Sequence, residues 1–162
     1  MRQKPCLCKA GIVMAKLLAK GNMTIEIATL DDCPALAVMN RELIDEGQQS
    51  NTMTVSELDS RMRDRFQKGV YTGYLIRLNG ETIGYALVDL SDMWMRHFFI
   101  CRNYRRQGYG RAAISLLFEQ LETEKIGLSC LTNNAQGLAF WRSFDHDAYS
   151  IKFDIRKPNS NV

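Results

Sequence analysis

The chain has 162 residues, of which 46% are hydrophobic and 24% charged, and these proportions are typical of one folded domain rather than a disordered or fibrous protein. Its longest apolar runs are far shorter than the roughly 20 residues of a membrane-spanning helix, so no spanning segment is predicted. The first 22 residues hold five basic and no acidic side chains. The remaining 140 residues hold 16 basic and 18 acidic side chains, which disfavours a nucleic-acid-binding protein.

The cysteine pattern indicates free thiols in a reducing compartment. The five cysteines are odd in number, form no CxxC pair and are accompanied by only two histidines. Neither a disulfide framework nor a metal site is predicted from this pattern. We therefore expect a cytoplasmic protein without a metal cofactor.

The first 22 residues form a basic, mildly apolar segment. Lys16 interrupts its apolar stretch and no A-x-A-like cleavage site follows, so a signal peptide is not predicted. An amphipathic helix on a membrane surface stays open as an interpretation, but Met23 opens a strand-like segment where a domain could start. We expect residues 1–22 to be a dispensable extension, residues 23–157 to form a single domain, and residues 158–162 to be a tail.

The hydrophobic pattern of the body alternates between the spacings of strands and helices. Strands are predicted at residues 24–28, 71–78, 81–90, 93–100, 128–132 and 149–156, with the hairpin signal Asn79-Gly80 between the second and third. Helices are predicted after Asp31 or Asp32, after the capping box Thr54-Val-Ser-Glu57, from Gly108 onward, and after Asn134. This order predicts an α/β (α+β) fold with a mixed, mostly antiparallel central sheet and helices on both faces.

A basic, glycine-containing loop, Arg105-Arg106-Gln107-Gly108-Tyr109-Gly110-Arg111, separates the fourth predicted strand from the next helix. Glycines allow a tight turn and a close approach of the backbone to a ligand. The start of the helix adds amide groups and the positive end of its dipole, and the arginines add charge. The loop therefore predicts a site for the pyrophosphate of a nucleotide-like cofactor.

Two other interpretations of this loop stay open. Gly108-x-Gly110-x-x-Ala113 satisfies the dinucleotide-binding fingerprint, but two predicted antiparallel strands precede it, and the next strand ends without the acidic residue that binds ribose. The other is a purely structural helix start with solvated arginines. A pyrophosphate site explains more of the pattern than either.

Two motifs resemble those of the GNAT superfamily of acetyl-CoA-dependent N-acetyltransferases. Arg105-x-x-Gly108-x-Gly110 matches the R/Q-x-x-G-x-G/A signature of that superfamily. The second motif, Asn-x-x-Ala-x-x-Phe-Tyr, is similar to Asn134, Gly137, Phe140 and Trp141. The order of elements is similar as well, over about residues 23–157. The resemblance implies a GNAT-like acyltransferase fold with acetyl-CoA as the acyl donor.

The resemblance also implies which residues contact that donor. The backbone of Phe98, Phe99 and Ile100 would bind the pantetheine arm between two diverging strands. Asn134 would lie near the pantetheine, and Trp141 would pack against it. The residues implied for the pyrophosphate are Arg105, Arg106, Gln107, Gly108, Tyr109, Gly110 and Arg111.

The implied reaction is direct attack of a neutral amine on the thioester, which needs a base for the amine proton and an N–H donor for the oxyanion. His97 is a candidate base, and Ile100 or its neighbour is the candidate oxyanion donor. Strict alternation along the strand places Arg96 beside Ile100 and His97 on the opposite face, unless a bulge intervenes. Trp141 stands where the family usually has a tyrosine that protonates the leaving thiolate, and an indole cannot supply that proton.

Several carboxylates are rival candidates for the base. They are Glu46, Glu42 and Asp45 near the end of the first helix, and more weakly Asp89 and Asp92. The first three favour a cationic acceptor, whereas Arg96 would favour an acceptor with a carboxylate if it faced the cleft. The sequence does not choose between them.

We therefore expect an N-acetyltransferase that moves an acetyl group from acetyl-CoA to a primary amine of a small molecule or peptide. No metal, nucleic-acid or membrane partner is expected, and the protein is expected to be a monomer or homodimer. The alternative is a non-catalytic acyl-CoA-binding or sensor module, which is consistent with the missing tyrosine. A nicotinamide-dependent oxidoreductase is a more distant third.

Overall fold

The computed structural model describes residues 22–47 and 50–148, which form two compact units that divide between Ser129 and Cys130. The strands of the first unit are β1 (Met23–Ile27), β2 (Thr72–Leu78), β3 (Glu81–Asp89), β4 (Trp94–Ile100) and β5 (Gly127–Leu128). Its α-helices are α1 (Cys33–Glu46), α2 (Val55–Gln67) and α3 (Tyr109–Leu121), and the second unit contains α4 (Ala135–Arg142). None of the described helices is long and apolar enough to cross a membrane.

The strands form one sheet in the order β1-β2-β3-β4-β5. Neighbouring strands are antiparallel except β4 and β5, which are parallel. Asn79 and Gly80 connect β2 to β3 with φ of +52° and +85°, the left-handed conformations that a tight hairpin turn requires. The predicted hairpin and the mixed, mostly antiparallel sheet are therefore confirmed.

Each face of the sheet carries its own hydrophobic cluster. On one face, α1 and α2 pack against Leu75, Tyr85 and Phe99. On the other face, α3 packs against Ile76 and Ile100. Neighbouring residues such as Leu75 and Ile76 contribute to opposite clusters because side chains alternate along a strand. The prediction of helices on both faces is confirmed.

Two helices begin at the signals that the sequence predicts. At the start of α2, the Thr54 hydroxyl accepts a hydrogen bond from the Glu57 amide at 3.3 Å, and the Glu57 carboxylate accepts one from the Thr54 amide at 2.7 Å. At the start of α4, the Asn134 side-chain oxygen accepts a hydrogen bond from the Gly137 amide at 2.9 Å. Both caps are local contacts over three residues, which is why the sequence reveals them.

The structure differs from the sequence prediction at β5. The strand predicted at residues 128–132 is reduced to Gly127–Leu128, which is half-buried, because only these two residues pair with β4. The predicted strand at 149–156, the tail at 158–162 and nearly all of the predicted extension at 1–22 lie outside the described residues.

Candidate active site

β4 and β5 separate soon after they meet. The paired residues are Trp94 with Gly127 and Met95 with Leu128. From residue 96 to Ile100, the outer edge of β4 therefore has no strand partner among the described residues. On the inner edge, the Cys101 amide donates to the Ile83 carbonyl at 2.8 Å. Because backbone groups alternate in direction along an antiparallel pair, those of Phe98 and Ile100 face the outer edge, where an extended ligand can lie alongside β4.

β4 contains a bulge at Arg96. The register with β3 shifts by one residue immediately before the Leu87–His97 pair, which leaves Arg96 without an opposite residue. His97 stays on the face that carries α1 and α2, opposite to Ile100, as strict alternation predicts. Arg96 lies on the face of His97, where both line one cavity. The prediction that Arg96 lies beside Ile100 is wrong, because the bulge reverses the alternation only on the N-terminal side of His97.

The loop after β4 turns sharply into α3. Arg106 and Gly108 have φ of +61° and +82°, and Gly108 is the N-cap residue of the helix. The Ala112 amide donates to the Gly108 carbonyl at 3.1 Å, so the Gly110 amide lies in the first turn, whose amides point toward the loop. A left-handed residue followed by a helix start forms a concave site for an anion. This geometry fits a pyrophosphate.

Glu46, at the end of α1, lies between two arginines of the segment after β4. Its carboxylate oxygens lie 3.2 Å from Arg102 Nη2 and 2.7 Å from Arg105 Nη2. Arg105 Nε also donates to the Ile100 carbonyl at 2.6 Å, and the guanidinium carbon lies 5.1 Å from the centre of the Phe99 ring. These contacts, the Glu46 clasp, connect the end of α1 to the end of β4 and to the start of the loop.

A cavity of about 170 Å³ opens on the face of the sheet that carries α1 and α2. Its polar lining residues are Asn40 from α1, Arg61 and Arg65 from α2, Tyr71 before β2, and Arg96 and His97 from β4. No acidic side chain is among the described residues that line it. This arginine cavity is therefore positively charged.

His97 contacts Tyr85 within the sheet. His97 Nδ1 lies 3.0 Å from Tyr85 Oη, and the two rings are T-shaped with their centres 5.9 Å apart. Burial lowers the pKa of His97 to about 4, and the positive charge of Arg61 adds to this effect. Burial also raises the pKa of Tyr85. At neutral pH the imidazole is therefore uncharged and the phenol keeps its proton.

The sequence model of the acetyltransferase (GNAT) family matches residues 39–145. The chain belongs to the GNAT acetyltransferase family. This confirms the resemblance carried by the two motifs. No curated protein matches this chain in sequence.

Solved structures of acetyltransferases share the GNAT fold of this chain. The ribosomal-protein-alanine N-acetyltransferase of Brucella melitensis biovar Abortus 2308 is 15% identical, with a TM-score of 0.63 over 84% of this chain and 100% of that one. An aminoglycoside acetyltransferase from an uncultured soil metagenomic sample, in complex with sisomicin, is 13% identical, with a TM-score of 0.63 over 86% and 99%. A predicted acetyltransferase from Clostridium acetobutylicum, with acetyl-CoA, is 16% identical, with a TM-score of 0.60 over 82% and 96%.

The second GNAT motif lies in the second unit. A Cβ atom on Gly137 would lie 2.7 Å from Asn134 Nδ2, so the glycine provides space for the side chain that caps α4. Trp141 packs with Phe140 and Phe144, with ring centres 4.7 Å and 6.1 Å away. Within this unit, both predicted cofactor residues, Asn134 and Trp141, thus also have structural contacts that stabilise α4.

Most of the carboxylates that the sequence suggests as bases form ion pairs. Asp45 lies 2.7 Å from Arg41, and Asp89 and Asp92 lie 3.0 Å and 3.2 Å from Arg96. Of the candidate bases, His97 is the one that lines the arginine cavity. In residues 22–47 and 50–148, no group of three or more His, Cys, Asp or Glu side chains is arranged to hold a metal ion.

The sequence analysis does not identify several residues that line the arginine cavity or lie beside it. Arg61 and Arg65 follow Leu58 at helical spacing, so they flank the buried face of α2, and this spacing is a signal that the sequence contains. Asn40 is buried, and so is Tyr85, which does not line the cavity but contacts His97. Nothing in their sequence context separates them from ordinary core positions.

Proposed function

We propose that this GNAT protein transfers an acetyl group from acetyl-CoA to a primary amine of a small molecule or peptide by direct attack. The observation that carries the proposal is the open outer edge of β4, which leads directly into the left-handed loop at Gly108. An extended arm and a pyrophosphate are the two parts of coenzyme A that such an edge and such a loop suit. The arginine cavity, on the α1 and α2 face of the same strand, provides space for the acceptor.

The proposed donor contacts are mainly with the backbone. The main chain of Phe98 and Ile100 binds the pantetheine arm, and the amides of residues 106–111 bind the pyrophosphate, with Arg106 and Arg111 adding positive charge. Arg105 positions the loop through the Glu46 clasp. Asn134 and Trp141 are proposed to contact the pantetheine arm.

His97 is the proposed base. A neutral imidazole can accept a proton from the amine, whereas the carboxylate of Glu46, the rival candidate, is bound to two arginines. In the tautomer of His97 that carries its hydrogen on Nδ1, the Nδ1–H group donates a hydrogen bond to Tyr85 Oη. The Nε2 atom is then the one that accepts the proton of the amine. The Ile100 amide is proposed to donate a hydrogen bond to the carbonyl oxygen as its negative charge develops. When the C–N bond has formed, the C–S bond breaks and coenzyme A leaves as the thiolate.

The acceptor is proposed to be an amine of a peptide or of a small molecule. Solved structures with this fold include a ribosomal-protein-alanine acetyltransferase and an aminoglycoside acetyltransferase, which supports either a peptide or a small-molecule amine. We propose a cytoplasmic monomer or homodimer that needs neither nucleic acid nor a membrane for this reaction.

The test is thiol release from acetyl-CoA with a panel of primary amines, combined with a thermal shift for acetyl-CoA alone. We expect acetyl-CoA to raise the melting temperature and at least one amine to increase the rate of thiol release. Binding of acetyl-CoA without any amine-dependent release would contradict the proposal and indicate an acyl-CoA-binding module. Stabilisation by NAD instead of acetyl-CoA would overturn the assignment of the loop.

A further inference from the structure

The arginine cavity contains more positive charge than the described carboxylates neutralise. Arg61 and Arg65 lie one turn apart on α2, and every acidic residue of that helix has another partner. Glu57 binds Thr54, Asp59 binds Arg63 at 3.1 Å, and Asp64 binds Lys68 at 2.6 Å. No described carboxylate forms an ion pair with Arg61 or Arg65. The guanidinium carbon of Arg65 lies 5.8 Å from the centre of the Tyr71 ring instead.

Arg96 differs from these two arginines. Its guanidinium lies 3.0 Å from Asp89 and 3.2 Å from Asp92, so its charge is balanced within the turn between β3 and β4. The excess positive charge of the cavity therefore comes from α2. Arg61 contributes to lowering the pKa of His97, so its charge is felt at β4.

Asn40 adds an unsatisfied acceptor to the same cavity. Only 1% of Asn40 is exposed, and its side-chain oxygen has no hydrogen-bond partner among the described residues. A buried carbonyl without a partner is costly, by about 1–3 kcal/mol. An N–H or O–H donor in the cavity, from water or from a ligand, satisfies it.

We infer that the arginine cavity binds an acceptor amine that also carries an oxyanion, either a carboxylate or a phosphate. Arg61 and Arg65 bind the oxyanion, and the Asn40 oxygen accepts a hydrogen bond from the amine. The inference rests on the proposed function in so far as this amine is the acetyl acceptor. The cavity volume of about 170 Å³ is below the roughly 300–1,000 Å³ typical of sites for drug-sized ligands, which favours a small acceptor or the end of a larger one.

The test is calorimetric binding to the full chain with two matched pairs of amines. Alanine and ethylamine differ only in a carboxylate, and phosphoethanolamine and ethanolamine differ only in a phosphate. We expect the member with the oxyanion in at least one pair to bind about tenfold to a hundredfold more tightly than the member without it, since charge-assisted hydrogen bonds are the strong ones. Which pair shows the difference distinguishes a carboxylate from a phosphate.

Variants on α2 locate the effect. Arg61→Ala and Arg65→Ala should each remove most of the preference for the member with the oxyanion, because the affinity of that member then falls towards that of its partner. Arg63→Ala is the matched control, because Arg63 is on the same helix but is paired with Asp59 outside the cavity. It should keep the preference unchanged.

Each outcome decides between the two claims. Equal binding of both members of both pairs, or a preference that survives Arg61→Ala and Arg65→Ala together, overturns the inference. The inference is also overturned if Arg63→Ala removes the preference as fully as Arg61→Ala and Arg65→Ala do. The preference would then be a general effect of positive charge and not of the cavity. If the amines with an oxyanion bind through Arg61 and Arg65 but no amine of the panel increases thiol release from acetyl-CoA, the assignment of the arginine cavity stands and the proposed function fails.

Discussion

At the scale of single residues, His97 has the properties of a weak base held in its neutral form. Its pKa of about 4 means that kcat/KM should rise through that pH and should no longer change with the protonation state of His97 above it. At neutral pH the profile should follow the pKa of the amine, because only the neutral amine attacks. His97→Gln should lower kcat/KM by about 10²-fold, near the lower limit for general bases, because the base is weak.

Two amines of different pKa, assayed with the parent and with His97→Gln, check this prediction. At neutral pH the profiles of both proteins should shift with the amine and differ only in height, and the rise near pH 4 should be absent from His97→Gln. A fully active variant would remove His97 from the mechanism and leave Glu46, Glu42 and Asp45 as candidates.

The same buried imidazole makes stability depend on pH. The pKa of His97 is about 4 in the folded chain and about 6.5 in an unfolded one. Between these values the unfolded state binds more protons, so the free energy of unfolding should fall as the pH falls from about 6.5 to about 4. His97→Gln should remove this part of the dependence, whereas His146→Gln, at an exposed position, should keep it. Urea midpoints measured across this range check the difference, and equal slopes in the parent and His97→Gln would contradict it.

At the scale of elements, the loop into α3 depends on a left-handed glycine. Gly108 has a φ of +82°, so Gly108→Val adds about 1–2 kcal/mol or more of backbone strain and places a side chain where the pyrophosphate is proposed to lie. Stabilisation by acetyl-CoA in a thermal shift should then disappear.

Gly80 provides the control for that change. It has a φ of +85° in the hairpin between β2 and β3, and a Cβ atom there meets nothing within 4 Å. Gly80→Val should lower the melting temperature through similar strain yet keep the stabilisation by acetyl-CoA. Equal binding of acetyl-CoA by the parent and Gly108→Val would show that the loop is not the pyrophosphate site.

The Glu46 clasp gives a second prediction at this scale. If Glu46 positions the loop, Glu46→Gln should raise the KM for acetyl-CoA about twofold to fivefold, the range expected for a partly exposed ion pair, and leave kcat nearly unchanged. If Glu46 were the base, kcat would fall by about 10²- to 10⁴-fold instead. Asp45→Asn is the control, because Asp45 pairs with Arg41 within α1 and should leave both constants near the parent values.

At the scale of the whole molecule, the prediction concerns where the domain starts. Met23 is buried and pairs with Leu78 in the sheet. A chain that begins at Met23 keeps this pairing and loses the exposed hydrogen bonds between Asn22 and Asn79. Because exposed hydrogen bonds add little to stability, this shorter chain should fold and bind acetyl-CoA like the full chain. A melting temperature lower by many degrees would show that the first 22 residues stabilise the domain.

The sequence by itself determined the features that depend on neighbouring residues. Asn79-Gly80 makes a tight turn because both residues tolerate positive φ, and Thr54 caps α2 because its partner lies three residues away. The period of apolar residues then gives the order of strands and helices, and with the motif at Gly108 it indicates the family. All of these are encoded within short stretches of chain.

Only the tertiary structure decided which side chains face the candidate site and which charges they carry. One extra residue at Arg96 moves that side chain to the face of His97, and such a bulge depends on the register between two strands. The low pKa of His97 and the partners of Glu46 likewise depend on residues far away in sequence. That Arg61 lines a cavity with residues of β3 and β4, and pairs with no described carboxylate, is seen only in the folded chain, because charge and burial are properties of the packed molecule and not of a sequence pattern.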